Sequence, residues 1–264
     1  MGITNSISDL VAKPAYSTYE SKLEKEVLSV PVPRHVAIIM DGNRRYAREV
    51  LKVENTNKGH EMGKDKLEEV LNWCIKAKVK VLTVYAFSTE NFSREEEEVD
   101  FLLKLIKDMM YSLGDDERIH KNHVRVKMIG DRSIIPDDLK EAVEYAEEKS
   151  KDYDDYHFNV AVAYGGRQEI INAVKRVAQS VKDGELDVDD ITEESLSVNM
   201  YTSDDPDPDL VLRTSGEIRL SNFLIWQMAY SELYFTDIYW PSFRYIDFLR
   251  AIRSYQQRNR RYGV

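Results

Sequence analysis

Five times along this chain a short apolar run stops at a cluster of small or charged residues, with helical spacing in between. The runs cover 36–40, 80–87, 124–129, 158–164 and 209–212. They end in Asp41-Gly-Asn43, Ser88-Thr-Glu-Asn91, Gly130-Asp-Arg132, Gly165-Gly-Arg167 and Arg213-Thr-Ser-Gly216. Short, β-branched runs of this kind read as strands buried on both faces. Helical spacing occupies 61–78, 94–113, 136–151, the stretch up to 181, a short piece at 192–201 and 247–262. Such alternation predicts an α/β fold: one domain, with a mainly parallel sheet of about six strands flanked by helices. Sheets of that kind bind ligands beyond the carboxyl ends of their strands.

The first junction carries the most chemistry. Arg34-His-Val-Ala-Ile-Ile-Met-Asp-Gly-Asn-Arg-Arg-Tyr46 passes from a strand through a sharp turn into a helix opening at Arg44, with Asp41 at the strand's carboxyl end. Basic side chains sit unfavourably at the positive end of a helix dipole. Arg44 and Arg45 in the first turn therefore need an anion, or Asp41 itself, to offset the repulsion. With the arginines and amides of the other four strand ends, the pattern points to a polyphosphate on one rim of the sheet.

The formal charge is −10. That field disfavours nucleic acid and anionic membrane as general partners, so an anionic substrate must be drawn by a local arginine cluster. The 264 residues contain no internal repeat or low-complexity linker, which favours a tail and helix over 1–33 and one domain over 34–264. The helix expected over 17–28 is stopped by Pro31 and Pro33. Cys74 is the single cysteine, excluding an internal disulfide or thiolate cluster and fitting a reducing cytoplasm. No apolar run nears the roughly 20 residues of a membrane-spanning helix and no secretory signal is evident, so the expectation is a soluble cytoplasmic protein.

Several familiar chemistries are disfavoured. Neither G-x-x-x-x-G-K-[ST] nor G-x-G-x-x-G follows a strand. An aspartyl phosphatase would carry a second acid two residues beyond Asp41, where Asn43 stands. The stretch 204–209 tempts a calcium loop, but Pro206, Pro208 and Leu210 count against it, leaving a solvated loop. Glu95 to Glu98 read as a solvated, dipole-favoured first helical turn, with Ser93 and Glu96 at capping-box spacing. His120 and His123 read as surface residues, Met109 and Met110 as core or lining.

Three motifs carry a family resemblance: His35-Val-Ala-Ile-Ile-Met-Asp-Gly-Asn-Arg-Arg-Tyr46, Tyr85-Ala-Phe-Ser-Thr-Glu-Asn91, and Arg213-Thr-Ser-Gly-Glu-Ile-Arg-Leu-Ser-Asn-Phe-Leu-Ile-Trp-Gln227 with Glu232-Leu-Tyr-Phe-Thr-Asp237. Together, and in order from about Arg34 to Gly263, they resemble the cis-prenyltransferases, the family of undecaprenyl and dehydrodolichyl diphosphate synthases. The resemblance implies a homodimer that uses Mg2+ to condense isopentenyl diphosphate onto an allylic prenyl diphosphate. Each round makes a new cis double bond, and the product is a long polyprenyl diphosphate, precursor of a glycosyl carrier lipid. A hydrophobic tunnel between the sheet and the helices at 61–78 and 94–113 would hold the tail, and a peripheral membrane contact would serve product release.

The resemblance also implies roles. Asp41 and Glu232 are similar to the family's metal-associated acids. Gly42, Asn43, Arg44 and Arg45 would hold the allylic diphosphate, and Arg213, Arg219 and Ser221 the isopentenyl diphosphate, with Leu220 beside them. Asn91, near Ser88, Thr89 and Glu90, resembles the residue of the proton-removal step. A neutral amide is a poor base, so the acceptor would be a phosphate oxygen or a water that Asn91 orients. Tyr46, His60, Phe92 and Arg94 match substrate-contact positions. Thr56 stands where the family often has an arginine, while Ile218 and Arg44 lean toward the archaeal and eukaryotic branch. Arg261-Tyr-Gly263 is similar to an ending that reaches the active site across the dimer. Two other readings compete with the active enzyme: a non-catalytic partner subunit, and a prenyltransferase with another acceptor or another way of joining units.

Overall fold

The computed structural model describes residues 18–258. The Arg261-Tyr-Gly263 motif, and the start of the helix expected over 17–28, lie outside them. The described strands are β1 (His35–Ile39), β2 (Val81–Ser88), β3 (Val124–Ile129), β4 (Tyr156–Tyr164), β5 (Leu210–Arg213) and β6 (Glu232–Phe235). The helices are α1 (18–28), α2 (Asn43–Glu49), α3 (Asn57–Ala77), α4 (Glu96–Asp115), α5 (Glu117–Lys121), α6 (Asp137–Ser150), α7 (Gly166–Lys182), α8 (Glu193–Ser197) and α9 (Tyr245–Gln256).

All six strands join one sheet in the order β3-β4-β2-β1-β5-β6, and every neighbouring pair is parallel. The chain leaves β1 for β2 on one side and later returns to β5 on the other, so the connections diverge at β1. Such a switch point opens a crevice beyond the strand's carboxyl end. Asp41 stands there.

Alternation along β1 divides the core. Val36 and Ile38 face a large cluster built with α1, α3, α4, α6 and α9, whereas Ala37 and Ile39 face a smaller one closed by Tyr164, Phe223, Leu224 and Met228. Helix α3 begins four residues earlier than its hydrophobic spacing suggests, which puts His60 inside a helix rather than in a loop. Glycines explain the close approach of α2 to α3. A Cβ on Gly59 would stand 2.0 Å from the Asn43 carbonyl oxygen, and one on Gly63 2.5 Å from its side-chain oxygen. Cys74 lies on the same helix, buried, and burial pushes its thiol well above the ordinary range.

Two local expectations fail. The Ser93–Glu96 capping box does not form: Ser93 donates back to the Glu90 carbonyl at 2.7 Å, and a 3-10 turn over Thr89–Ser93 precedes α4. The acidic stretch 204–209 is not merely solvated. Asp209 Oδ2 accepts from the backbone N–H groups of Arg34 (2.6 Å) and His35 (3.1 Å), and Asp205, its side chain 2% exposed, accepts from Asn159 at 2.6 Å. Those carboxylates satisfy donors at the amino ends of the strands, a role set by neighbours distant in sequence. Among the described residues no helix is long and apolar enough to cross a membrane.

Candidate active site

Asp41 follows β1 by two residues and Gly42 turns the chain with φ 105°, a backbone that favours glycine, so α2 starts at once. The carboxylate is clamped from two sides. Arg213, at the end of β5, donates from Nη2 to Asp41 Oδ2 at 2.9 Å, and Arg45 Nη2 stands 3.2 Å from Oδ1. Arg213 is almost wholly buried; its Nη1 donates to Ser221 Oγ at 2.8 Å and to the Arg219 carbonyl. Arg45 also reaches the Ser215 carbonyl (3.1 Å) and Glu217 (3.0 Å), and Glu217 pairs with Arg219.

These groups wall a cleft of about 500 Å³ that also takes in Asn43, Arg44, Arg48, His60, Ser88, Asn91 and Arg94. Behind two of the lining arginines, Glu98 pairs with Arg44 (3.0 Å) and Arg94 (2.8 Å). Asn91 Oδ1 accepts from the Ser88 backbone N–H at 2.9 Å, which fixes the amide at the end of β2. Below the arginines the lining turns apolar. A second hollow of about 60 Å³ runs between Met40, Leu67, Ala86, Leu102, Ile106, Met109 and Trp240, sharing Asn43 and His60 with the cleft. It lies between the sheet and helices α3 and α4, where the tunnel was expected.

Electrostatics keep the cleft cationic without an extra titrating base. Burial, outweighing the attraction of Glu98, pushes His60 down to about 4, so its imidazole is neutral at pH 7. Burial would raise Glu98, but Arg94 and Arg44 outweigh it and hold its carboxyl below the usual range. Four buried polar atoms of this region have no hydrogen-bond partner among the described residues: Asn43 Oδ1, His60 Nε2, Arg213 Nε and Ser215 Oγ. A buried polar atom left unpaired costs roughly 1–3 kcal/mol, so a concentration of them marks where a ligand completes the structure.

Of the residues singled out from sequence, Asp41, Gly42, Asn43, Arg44, Arg45, His60, Ser88, Asn91, Arg94, Arg213, Arg219 and Ser221 meet at this cleft. Tyr46 is buried in α2, and Phe92 packs edge-on against Phe87 (4.9 Å). Leu220 packs on the smaller core cluster. Thr89 donates to Glu90, which accepts from Asn222 (3.1 Å), so this pair braces the loop carrying Ser221. Glu232 stands apart from this cleft in the single chain. It opens β6, opposite Leu210 at the amino edge of the sheet, about 15 Å down the strand direction from Asp41, and pairs with Arg258. Within one chain the two acids are not brought together, because a parallel strand starting at Glu232 points it away from the rim. The strand ends also converge less fully than expected. Those of β1, β2 and β5 line the cleft; that of β4 supports it through Asn222, which accepts from Arg167 N (2.9 Å); and that of β3 borders a separate hollow. Sequence reasoning missed Glu217, which lines the cleft, and Glu98, which holds two of its arginines, since their partners lie up to 172 positions away.

The chain is similar to known proteins along most of its length. The family model described as undecaprenyl diphosphate synthase matches residues 39–263. The chain is 53% identical, over all of both chains, to the tritrans,polycis-undecaprenyl-diphosphate synthase (geranylgeranyl-diphosphate specific) of Thermoplasma volcanium. It is 51% identical to the synthase of that name from Pyrococcus horikoshii, over 99% of this chain and 98% of that one. Among solved structures it superposes on lavandulyl diphosphate synthase from Lavandula x intermedia, in complex with dimethylallyl diphosphate, with a TM-score of 0.83 and 37% identity over 90% of this chain and all of that one.

Proposed function

Since the chain belongs to the undecaprenyl diphosphate synthase family and is a cis-prenyltransferase that condenses isopentenyl diphosphate with an allylic diphosphate, we propose that its allylic substrate is geranylgeranyl diphosphate and its product undecaprenyl diphosphate. The names of its full-length relatives support that choice. The observation that carries it is the polar-to-apolar order of the cavity: Asp41, Arg45 and Arg213 lie at the rim, and past Asn43 and His60 the lining is mostly apolar, with Met40, Leu67, Leu102, Ile106 and Met109. Each buried methylene contributes about 0.8 kcal/mol, so the apolar lining favours a diphosphate whose hydrocarbon end enters the hollow.

In this reading Arg44, Arg45 and Arg94, with the Gly42–Asn43 turn, hold the allylic diphosphate, and Arg213, Arg219 and Ser221 hold the isopentenyl diphosphate. Planar guanidinium groups match phosphate oxygens and stabilise the charge that builds as the allylic C–O bond breaks. Asn91 then orients the phosphate oxygen or water that takes the proton. The donor set fits Mg2+ carried in by the substrate: no group of three metal-ligating side chains occurs among the described residues, and this ion is commonly held by one or two carboxylates plus phosphates and water. Asp41 would be that carboxylate, and the bound ion would neutralise the departing diphosphate.

A second copy of the chain completes the proposal. Ile171 and Val174 on α7 are each about half exposed, and Ile225 beside the start of that helix is 39% exposed, an apolar face suited to a homodimer. A cytoplasmic setting, and a peripheral membrane contact at product release, belong to the same reading.

The test is incorporation of labelled isopentenyl diphosphate with Mg2+ and dimethylallyl, geranyl, farnesyl or geranylgeranyl diphosphate. Incorporation is expected to be greatest with the geranylgeranyl primer, giving a linear undecaprenyl chain. Incorporation only with dimethylallyl diphosphate would point to the short substrate seen in the lavender structure instead. No incorporation with any primer would leave the partner-subunit reading.

A further inference from the structure

Glu98 is the one member of the Glu95–Glu98 run that turns inward. Glu95, Glu96 and Glu97 are exposed, whereas the Glu98 side chain is only 15% exposed. It continues the cavity-facing stripe of α4, because Leu102, Leu105 and Met109 follow at spacings of four, three and four and line the apolar hollow. The residue is thus the polar head of a hydrocarbon stripe, placed where the rim meets the tunnel.

Its partners are cleft cations. Arg44 Nη1 approaches both carboxylate oxygens, at 3.3 and 3.0 Å, and Arg94 Nη1 approaches Oε1 at 2.8 Å. His60 Nε2 stands 3.7 Å from the same oxygen, beyond hydrogen-bond reach; its side chain is 10% exposed and that nitrogen has no partner. Two guanidinium groups and an unsatisfied ring nitrogen converging on one small anion form a receptor for a larger one. A carboxylate carries one charge and two oxygens; a diphosphate carries more of each and engages both arginines and the imidazole together.

We propose that Glu98 is an internal stand-in for the substrate diphosphate, holding Arg44 and Arg94 until a diphosphate displaces it and reclaiming them when the product leaves. The inference rests on reading the cleft as a diphosphate site, and goes beyond it by assigning to Glu98 the balance between capture and release. An enzyme that must let go of a long greasy product gains from a competitor built into its own wall. Because Glu98 rides on α4, displacement also reports headgroup occupancy to the wall that packs the tail.

The experiment is calorimetric titration of inorganic pyrophosphate, in magnesium buffer, into wild type, Glu98→Gln and Glu97→Gln. Glu98→Gln keeps the side chain's length and a residue compatible with the first helical turn. It is expected to bind pyrophosphate about tenfold more tightly, the scale of one or two partly exposed ion pairs no longer competing. Glu97→Gln removes the same charge one residue away and should stay within about twofold of wild type, because an exposed charge is screened. In turnover, Glu98→Gln should lower KM for the allylic diphosphate and also lower kcat as release slows, with Glu98→Asp recovering part of both. Glu98→Ala must show the same direction of binding change. Binding by Glu98→Gln no tighter than wild type overturns the proposal, as does an equal gain in Glu97→Gln, which would mean a general field effect. Wild type that binds no pyrophosphate overturns the diphosphate reading of the cleft together with it.

Discussion

The two ends of one sheet bury polar groups of the same kinds and treat them in opposite ways. At the amino ends, His35 is held between the Pro206 carbonyl (2.6 Å) and Thr83 (2.8 Å), Asn159 bridges Thr83 and Asp205, and His157 lies between Asp205 and Asp154. The chain supplies a partner to each. At the carboxyl ends, Arg213 Nε, His60 Nε2 and Ser215 Oγ have none among the described residues. Both ends bury polar side chains; satisfaction is what separates scaffold from site. A closed network holds the fold together, and an open one is completed by what it binds.

The sharpest way to break this contrast is to exchange one carboxylate at each end. Asp41→Asn keeps an acceptor for the arginines and is expected to lower turnover about a thousandfold, comparable to losing a principal electrostatic stabiliser, with the thermal midpoint nearly unchanged. Asp205→Ala should do the reverse. It strands His157 and Asn159 and is expected to cost about 3 kcal/mol in denaturant unfolding, while turnover per folded molecule stays within about twofold. Loss of the fold from Asp41→Asn, or loss of chemistry alone from Asp205→Ala, would erase the distinction.

A smaller effect tests how the open end is held open. Gly59→Ala drives a Cβ to 2.0 Å from the Asn43 carbonyl oxygen and should cost about 2 kcal/mol, with a raised KM for the allylic diphosphate as the Gly42–Asn43 turn shifts. An unchanged KM would mean that the turn is not set by its seat on α3. The smallest effect concerns pH. The hydrogen bond that His157 donates to Asp205, outweighing burial, raises the imidazole's pKa, so its protonated form stabilises the fold. That contribution is complete below the unfolded imidazole value of about 6.5 and fades as pH rises through the higher folded value. The stability gap between wild type and His157→Gln should therefore narrow from pH 6 upward, in chemical unfolding at fixed temperature. A gap that widens with pH would contradict the pairing.

Sequence pattern revealed the strands better than their neighbours. β3 falls on the 124–129 run, and β1 is displaced from its run by one residue, since apolar content marks a buried strand directly. Asp41, Arg45 and Arg213 were legible because each sits at a strand end that feeds a polar turn. Glu98 was not: three neighbours of the same type are solvated, and its second arginine, Arg44, lies 54 residues away. The place of Glu232 in the sheet was not legible for a related reason. Its strand has only four residues, each half-buried, so neither its existence nor its direction could be read from spacing.

The sealed thiol on α3 has a practical corollary. Cys74 sits in the helix that walls the hydrocarbon hollow, and its sulfur is out of contact with water and hard to ionise. A maleimide or disulfide reagent can modify it only during moments when that wall swings outward, because the thiolate is the attacking species. The labelling rate therefore reads local opening of α3 at a single atom with no engineered probe, and its slowing as the bound prenyl tail lengthens would tie that opening to filling of the cavity.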